Sequence, residues 1–280
     1  MKIGKSRSSW LAVLNVGTIL FCLFGRGFLC GESDSGENKL NKDFFARFGR
    51  DFKGVVSAPF DWKKGDFLKF AAISGAGLLL YSIDRDIYDW VQENRSPFSE
   101  DSSSVFSYFS NGGVLLGLAG VLYAAGEIDH QDSWRKTALL SVESLATASI
   151  FVCGMKVITG RARPYAGESS HSFHPFSLKS FYWSLPSGHA AAGFAVATTI
   201  AEQSDEVALD VLAYSLAALA GLSRVHDNKH WASDVFIGSA IGYFVAKKIS
   251  DLNRPEAKKT VSFSFQFSRD RQALTLVIGF

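Results

Sequence analysis

The stretch LPSGHAAAG, from Leu185 to Gly193, places a proline, a serine, a glycine and a histidine at the start of an apolar segment. Proline suits the first turn of a helix, and serine is a preferred N-cap because its oxygen accepts a hydrogen bond from a free backbone N–H. Glycine lets another group come close to the backbone. The stretch therefore predicts a helix N-terminus with free N–H groups and a histidine in its first turn. Such a terminus binds anions, phosphate above all.

Six apolar segments, one of which begins in this stretch, predict an all-α fold. They occupy residues 67–83, 105–125, 137–158, 188–202, 206–223 and 234–249. Their lengths and patterns are typical of helices rather than strands. In an up-and-down bundle of six helices, the end of the third, the start of the fourth, the end of the fifth and the start of the sixth lie on one side.

Three clusters of polar residues fall at those four helix ends. The first is Lys156 with Arg163-Pro164, the second is Pro186-Ser187-Gly188-His189, and the third is Ser223-Arg224 with His230 and Asp234. One pocket can therefore collect all three clusters. Lys156, Arg163 and Arg224 supply three cations, and guanidinium forks match phosphate oxygens bidentately.

The histidines of these clusters predict covalent catalysis without a metal or any other cofactor. His230 and Asp234 are four residues apart and share a helix face if the helix starts near His230. We expect the carboxylate to accept the imidazole N–H, which fixes the tautomer and leaves the other nitrogen as a nucleophile. His189, from a different helix, can protonate the leaving oxygen. The pattern predicts phosphoryl transfer through a phosphohistidine.

In order and spacing, the clusters resemble the three-part signature of the type 2 phosphatidic acid phosphatase (PAP2) superfamily, which is related to bacterial acid phosphatases and vanadium haloperoxidases. The pattern K-x6-RP, then PSGH, then SR-x5-H-x3-D is matched at every position between residues 156 and 234. The resemblance implies a six-helix PAP2 phosphatase domain over residues 61–250. It implies that His230 is the nucleophile, Asp234 its partner and His189 the acid, and that phosphate is bound by Lys156, Arg163, Ser187, Gly188 and Arg224.

Five further polar residues lie near the signature but outside it. They are Arg161, His171, His174, His226 and Asp227. We expect them in loops or at the pocket rim, since loops carry polar residues by default.

Several functions remain compatible with this pattern. The first is a phosphatase that hydrolyses phosphate or pyrophosphate esters of membrane lipids. The alternatives are a broad-specificity periplasmic acid phosphatase, a vanadium haloperoxidase and an envelope scaffold with a vestigial pocket. A net charge of +2 argues against nucleic acid as the main partner. The expected partners are a phosphorylated lipid and a membrane, and no required protein partner is evident.

The two ends of the chain differ in composition from the bundle. Residues 1–30 combine a basic start with an apolar stretch from Trp10 to Phe24, which predicts a signal peptide or an N-terminal anchor. Residues 31–43 form a polar linker, and residues 251–280 form a basic linker with a C-terminal β-hairpin.

Residues 44–60 are predicted to form an amphipathic helix, which either packs on the domain or lies on a membrane. Its apolar face carries Phe44, Phe45, Phe48, Phe52 and Val55, and its polar face carries Arg47, Arg50, Asp51 and Lys53.

Hydropathy and charge give opposing indications about the membrane. Segments 188–202 and 234–249 would span only about 24 Å as helices, against a hydrocarbon core of about 30 Å. Glu143 and Asp210 also interrupt two of the apolar segments. The other segments are strongly apolar, the tail after residue 249 is basic, and the loop at 84–102 is acid-rich. We expect a bacterial cell-envelope protein whose bundle is embedded in the membrane with the active site facing the periplasm. The alternative is a periplasmic, membrane-associated domain.

Overall fold

The computed structural model describes residues 38–254 in full and the backbone of residues 261–268 and 271–278. Every regular element between residues 38 and 254 is a helix, so the predicted all-α class is confirmed for this part of the chain. The α-helices are α1 (Lys42–Ser57), α2 (Lys64–Ser82), α3 (Asp84–Glu93), α4 (Pro97–Tyr108), α5 (Gly112–Ile128), α6 (Asp132–Thr159), α7 (Gly188–Gln203), α8 (Val207–His226) and α9 (Ala232–Leu252). The predicted segment 1–30 and the first part of the linker lie outside the described residues.

Short 3-10 helices and one pair of strands complete the described elements. The 3-10 helices are Ala58–Asp61, Pro164–Ala166 and Ser180–Tyr182. Strands β1 (Val261–Ser268) and β2 (Arg271–Ile278) pair in antiparallel fashion, with Val261 opposite Ile278 and Ser268 opposite Arg271.

Helix α7 lies at the centre of the bundle, packed between α6, α8 and α9. Many of its residues are buried alanines, among them Ala190, Ala191 and Ala195. Small side chains allow neighbouring helices to approach closely. A buried apolar cluster then joins α6, α7 and α9, and its members are Leu140, Ala148, Ala195, Val245, Ala246 and Ile249.

Two glycines bring α9 directly onto the first half of α7. A Cβ atom at Gly238 would lie 2.4 Å from the Ser187 carbonyl oxygen, and one at Gly242 would lie 2.2 Å from the Ala191 carbonyl oxygen. Only glycine leaves room for such a backbone contact. This contact places the start of α9 beside the start of α7, where two of the three sequence motifs lie.

The first two predicted apolar segments are broken helices. Helices α2 and α3 meet at an angle of 56°, and α4 and α5 meet at 53°. Asn111 ends the continuity of the second segment, because its side chain caps α5 by accepting from the N–H groups of Gly113 and Val114. Residues 84–102, predicted as a loop, form α3 and the start of α4. Helix α1 corresponds to the predicted amphipathic helix, and the described residues that follow it form eight α-helices where six were predicted.

Helix α1 packs against α6 and against the C-terminal end of α9. The Phe52 ring lies 6.2 Å from the Phe151 ring, and the Asn253 amide donates to Asp51 at 2.6 Å. Asp51 and Arg47, predicted on the polar face, turn inward beside Glu143, which is completely buried. These contacts favour the interpretation of α1 as a helix packed on the domain.

Two described helices, α6 and α8, are long and apolar enough to cross a membrane. The bent pairs α2/α3 and α4/α5 pass the same test of length and composition if each pair counts as one span.

We predict that Gly242→Ala destabilises the bundle by about 1–3 kcal/mol, because the new methyl group collides with the backbone of α7. The matched control is Gly117→Ala on α5, where a Cβ atom would meet nothing within 4 Å. There the higher helix propensity of alanine adds up to about 1 kcal/mol of stability. Thermal unfolding in detergent measures both effects, and a Gly242→Ala protein as stable as the Gly117→Ala protein contradicts the proposed close contact.

Candidate active site

The structure brings the residues of the three motifs to one end of α6–α9. Lys156 lies in the last turn of α6 and Arg224 in the last turn of α8, while His189 and Asp234 lie in the first turns of α7 and α9. The remaining members are in the segments between these helices, namely Arg163 and Pro164 after α6, Ser187 before α7, and His230 before α9.

The N-terminus of α7 is fixed by its neighbours. Ser187 is the N-cap, and its hydroxyl accepts from the Ala190 N–H at 3.4 Å. The Ser187 N–H donates to the Asp234 carbonyl oxygen at 2.9 Å, which ties α7 to α9. A Cβ atom at Gly188 would lie 3.8 Å from the Lys156 ammonium nitrogen. An ammonium group therefore lies next to the positive end of a helix, an arrangement suited to an anion.

Two arginines carry guanidinium N–H groups without partners in this region. The Nε atoms of Arg163 and Arg224 are both buried, and each lacks a hydrogen-bond partner among the described residues. One Nη atom of Arg224 lies 3.4 Å from the Asp227 carboxylate. Burial lowers the pKa of Arg163 from its ordinary value. Desolvated guanidinium groups with free N–H donors bind phosphate-like oxyanions strongly.

His230 is held by a backbone carbonyl rather than by the carboxylate expected from the sequence. Its side chain is buried, and its Nδ1 atom lies 2.7 Å from the Ser184 carbonyl oxygen. Since a carbonyl only accepts, Nδ1 carries the hydrogen and Nε2 keeps its lone pair. The nearest Asp234 oxygen is 3.8 Å from Nδ1, beyond hydrogen-bond distance. The expected direct hydrogen bond to Asp234 is therefore wrong in this structure.

Burial lowers the pKa of His230 to about 4. The Asp234 carboxylate opposes this effect, while the positive charges of Lys156 and Arg163 reinforce it. The His230 imidazole is consequently neutral above this pKa, which is the form that can act as a nucleophile.

Asp234 is completely buried and accepts three hydrogen bonds. The donors are Arg161 at 2.6 Å, the Ser184 hydroxyl at 2.5 Å and the Trp231 N–H at 3.0 Å. Its position in the first turn of α9 also suits a negative charge. The carboxylate therefore stays ionised at a site without access to water.

Arg161, expected at the pocket rim, is instead completely buried. Its guanidinium bridges Asp234 and Asp84, with a 2.7 Å contact to the latter. Asp84, at the start of α3, also accepts from the N–H and the hydroxyl of Ser233 at 2.9 and 2.5 Å. Sequence reasoning missed Asp84, Ser184 and Ser233. The one available signal was the position of Arg161 inside the first motif.

The other four rim candidates hold the surroundings of the pocket together. Asp227, which faces Arg224, accepts from the Ser103 hydroxyl at 2.6 Å, and His226 lies 3.0 Å from the Ser99 hydroxyl, so both attach α4 to α8. His171 packs on Tyr81, and His174 lies 2.8 Å from Glu168.

His189 is half-buried in the first turn of α7. Burial, together with the positive charges of Arg224 and Lys156, lowers the pKa of its imidazole to about 4. The structure thus places a second titratable imidazole among the cations that are predicted to hold phosphate.

No group of three or more histidine, cysteine, aspartate or glutamate residues within 38–254 has an arrangement that could hold a metal ion. The polar groups gathered here are instead three cations, two imidazoles and the N-termini of two helices.

Comparison with known proteins identifies the family of this region. Residues 137–254 match the model of the PAP2 superfamily, which confirms the resemblance predicted from the three motifs. A lipid A 1-phosphatase of Porphyromonas gingivalis is 34% identical over 125 residues, which are 43% of this chain and 25% of that protein. The match thus spans a quarter of the length of this curated relative.

Two solved structures resemble the bundle. A transmembrane PAP2-type phosphatidylglycerolphosphate phosphatase from Bacillus subtilis has a TM-score of 0.51 and 21% identity, over 66% of this chain and 98% of that one. LpxE from Aquifex aeolicus has a TM-score of 0.49 and 19% identity, over 59% of this chain and 93% of that one. The former shows that the part of this chain that it covers has the same fold as that structure.

We predict that Arg163→Gln weakens the binding of inorganic vanadate by about 10–100-fold, because a hydrogen bond to a charged group contributes about 1.5–3 kcal/mol. Titration calorimetry in detergent measures the Kd. Arg85→Gln is the control, since Arg85 is exposed and pairs with Asp89 on the surface of α3. Equal affinities of the Arg163→Gln and Arg85→Gln proteins would show that Arg163 does not bind the anion.

Proposed function

We propose, on the premise that residues 137–254 belong to the PAP2 superfamily, that this chain is a phosphatase. It hydrolyses phosphate or pyrophosphate esters of membrane lipids through a phosphohistidine on His230. The observation that carries the proposal is a buried, neutral His230 whose Nδ1 is bound to a carbonyl, next to the cationic groups of Lys156 and Arg163.

The cations and the helix terminus bind the phosphoryl group before any bond changes. Arg163 and Arg224 offer their unpaired guanidinium N–H groups to its oxygens, and Lys156 adds a point charge. The N-terminus of α7 contributes backbone donors next to Gly188, where the missing side chain leaves the backbone accessible. These groups also stabilise the charge of the transition state, since they are fixed in place before the reaction.

The first chemical step is attack by the lone pair of His230 Nε2 on phosphorus. The N–P bond forms while the bond between phosphorus and the lipid oxygen breaks, and His189 donates a proton to that oxygen. Positive charge develops on the His230 ring. The Ser184 carbonyl and the nearby Asp234 carboxylate stabilise this charge.

The second step hydrolyses the phosphohistidine. His189, now neutral, accepts a proton from water as the water oxygen attacks phosphorus, and the N–P bond breaks to release phosphate. In the site without substrate, burial and the surrounding cations lower the pKa of His189 and keep it neutral. A doubly charged phosphate group offsets those cations and raises the pKa of His189, so that substrate binding supplies the acid.

A lipid substrate is supported by the surface around the pocket. Ile158, two residues after Lys156, and Leu222, two residues before Arg224, are each 60% exposed. Both lie on the helices that are long and apolar enough to cross a membrane. Exposed apolar side chains so close to the phosphate-binding groups fit a substrate whose phosphate enters from a lipid surface. The relative that is 34% identical is also named as a phosphatase of a lipid.

The proposed activity is tested by phosphate release from purified protein in detergent and excess EDTA. The lipid substrates are phosphatidic acid, phosphatidylglycerophosphate, a polyprenyl pyrophosphate and lipid A, and the soluble ones are nitrophenyl phosphate and glycerol phosphate. Preference for one or more lipids supports the proposal. Hydrolysis of the soluble esters alone would favour a broad-specificity acid phosphatase, and activity that requires added Mg²⁺ would contradict the metal-free mechanism.

We predict that the two histidines affect the phosphoenzyme in opposite ways. His230→Ala abolishes turnover and covalent labelling by radiolabelled nitrophenyl phosphate, because the nucleophile is missing. His189→Ala still becomes labelled, since nitrophenolate leaves without a proton, and the label accumulates because no base activates water. Asp234→Asn retains slow turnover. Acid-quench labelling and phosphate release measure these effects, and labelling of His230→Ala at the wild-type level would refute the assigned nucleophile.

We further propose a membrane-embedded catalytic domain over residues 61–250, preceded by the segment 1–30, the linker 31–43 and the helix 44–60. The residues 251–280 follow it. The active site lies at the start of α9, and the basic residues Lys247, Lys248 and Arg254 lie at its other end. A helix of this length extends about 30 Å. Basic residues favour the cytoplasmic side, which supports an active site that faces the periplasm.

The orientation predicts the labelling of single cysteines introduced after the native ones are replaced. In cells with a permeable outer membrane, Ser169→Cys in the loop after α6 should react with a membrane-impermeant maleimide. Asp251→Cys, at the far end of α9, should react only after the inner membrane is lysed. The opposite pattern would place the active site in the cytoplasm.

A further inference from the structure

We propose that Asp84 and Arg161 are positioning residues for phosphoryl transfer, and that the buried chain Asp84–Arg161–Asp234 acts on His230 through Ser184. The inference rests on the proposed function. It extends the reaction's machinery to α3, which lies outside the residues 137–254 that match the PAP2 superfamily.

Arg161 has all of its donors committed. Nη1 donates to Asp234 at 2.6 Å and to the Ser233 hydroxyl at 2.8 Å, and Nη2 donates to Asp84 at 2.7 Å. The Ser170 carbonyl accepts from Nε at 3.0 Å and from Nη2 at 2.8 Å. These five contacts match the five N–H groups of a guanidinium. The side chain therefore has a single orientation.

Arg161 reaches His230 by two routes through Ser184. Its guanidinium holds Asp234, whose other oxygen accepts from the Ser184 hydroxyl at 2.5 Å. Its own carbonyl oxygen accepts from the Ser184 N–H at 3.0 Å. Ser184 in turn accepts the Nδ1 hydrogen of His230 with its carbonyl. The direction of the His230 ring, and hence of Nε2, depends on the position of Arg161.

Asp84 determines the net charge of the buried group Asp84–Arg161–Asp234. With Asp84 present, two buried carboxylates face one guanidinium, which leaves one net negative charge. Without it, Arg161 and Asp234 would neutralise each other. The charges around His230 that no opposite charge offsets would then be those of the cations Lys156, Arg163 and Arg224. The charge of Asp84 thus preserves a negative potential for the positive charge that develops on His230 during attack.

Stability alone gives little reason for such a cluster. Buried ion pairs are often no more stabilising than apolar residues of similar volume, because each ion loses its hydration. Asp84 also accepts from the Ser233 N–H in the first turn of α9. If Asp84 only anchored α3 to α9, its hydrogen bonds would be sufficient. A positioning role for Asp84 also needs its negative charge.

The test compares two anions on purified wild-type and Asp84→Asn proteins. Phosphate binds through the cations alone. Vanadate also accepts the Nε2 lone pair as a fifth ligand, so its binding builds positive charge on His230. We expect Asp84→Asn to weaken vanadate binding by about 10–100-fold, as changes beside a reacting group commonly do, and to leave the Kd of phosphate unchanged. With lipid substrate, kcat should fall by a similar factor while KM stays constant.

Two further variants test whether the position of Arg161 matters in addition to its charge, and whether a loss of stability alone changes anion binding. Arg161→Lys keeps the charge but cannot make the five hydrogen bonds of the guanidinium, so it should lose vanadate affinity as Asp84→Asn does. If Asp84→Asn does not fold, Arg161→Lys replaces it in the test. Asp51→Asn is the matched control, because Asp51 is a buried carboxylate that anchors a flanking helix to the other end of α9. It should lower the unfolding temperature without changing either Kd.

Three results would overturn the proposal. They are an unchanged vanadate Kd in folded Asp84→Asn or Arg161→Lys, an equal loss for phosphate and vanadate, and wild-type protein that binds vanadate no more tightly than phosphate. A selective loss of vanadate affinity in the two variants, found together with wild-type protein that hydrolyses no phosphate ester, would refute the proposed activity and leave the positioning role supported.

Discussion

The hydrogen bond from the Ser187 N–H to the Asp234 carbonyl joins the start of α7 to the start of α9, and the geometry of the active site depends on it. It forms because Gly238 removes the side chain that would otherwise separate the two backbones. Two helix N-termini therefore meet at one place. Each carries a partial positive charge from its free N–H groups. The cations that we propose to bind phosphate join them from the ends of α6 and α8, so that four helices direct their polar ends into one volume.

Several positive charges in a buried site repel one another, which is unfavourable. Negative charges can offset them on the protein side and on the substrate side. On the protein side, Asp234 and Asp84 place two buried carboxylates around Arg161. On the substrate side, the Nε groups of Arg163 and Arg224 lack hydrogen-bond partners among the described residues, and we propose that they bind an anion. The cations of the proposed site repel one another, and a doubly charged phosphate would offset this repulsion. In the proposed mechanism, the affinity for phosphate and the protonation of His189 as an acid therefore have the same origin.

The sequence predicts the part of this site that lies in short, linear motifs. The spacing of Lys156, Arg163, His189 and Arg224 relative to the apolar segments indicates which helix ends meet, because helix polarity determines where each motif falls. Asp84 is 77 residues from Arg161, and no pattern along the chain connects them. Ser184 acts on His230 through its backbone carbonyl, which every residue type carries. Contacts of these two kinds become visible only when the chain is folded.

The helix count fails for a related reason. Hydropathy shows whether a segment is apolar. Whether a helix is interrupted within that segment depends on a side chain that competes for its backbone hydrogen bonds. Asn111 is such a competitor, since its side chain accepts from the N–H groups that begin α5. The inward turn of Arg47 and Asp51 on α1 likewise depends on a partner, the buried Glu143 of α6, that periodicity within α1 cannot reveal.

One group orients the His230 ring, and a different group supplies the negative charge near it. The neutral Ser184 carbonyl fixes the tautomer at 2.7 Å, and the Asp234 carboxylate stays 3.8 Å away. A carboxylate bound directly to Nδ1 would favour the protonated imidazole and raise the pKa of His230. A protonated ring has no lone pair for phosphorus. In the proposed mechanism, His230 stays neutral among the cations until the N–P bond begins to form, because the carboxylate does not bind Nδ1 directly. The negative charge of Asp234 then acts on the positive charge that appears. The distance between these two groups would thus favour the proposed transition state over protonation of His230 before the reaction.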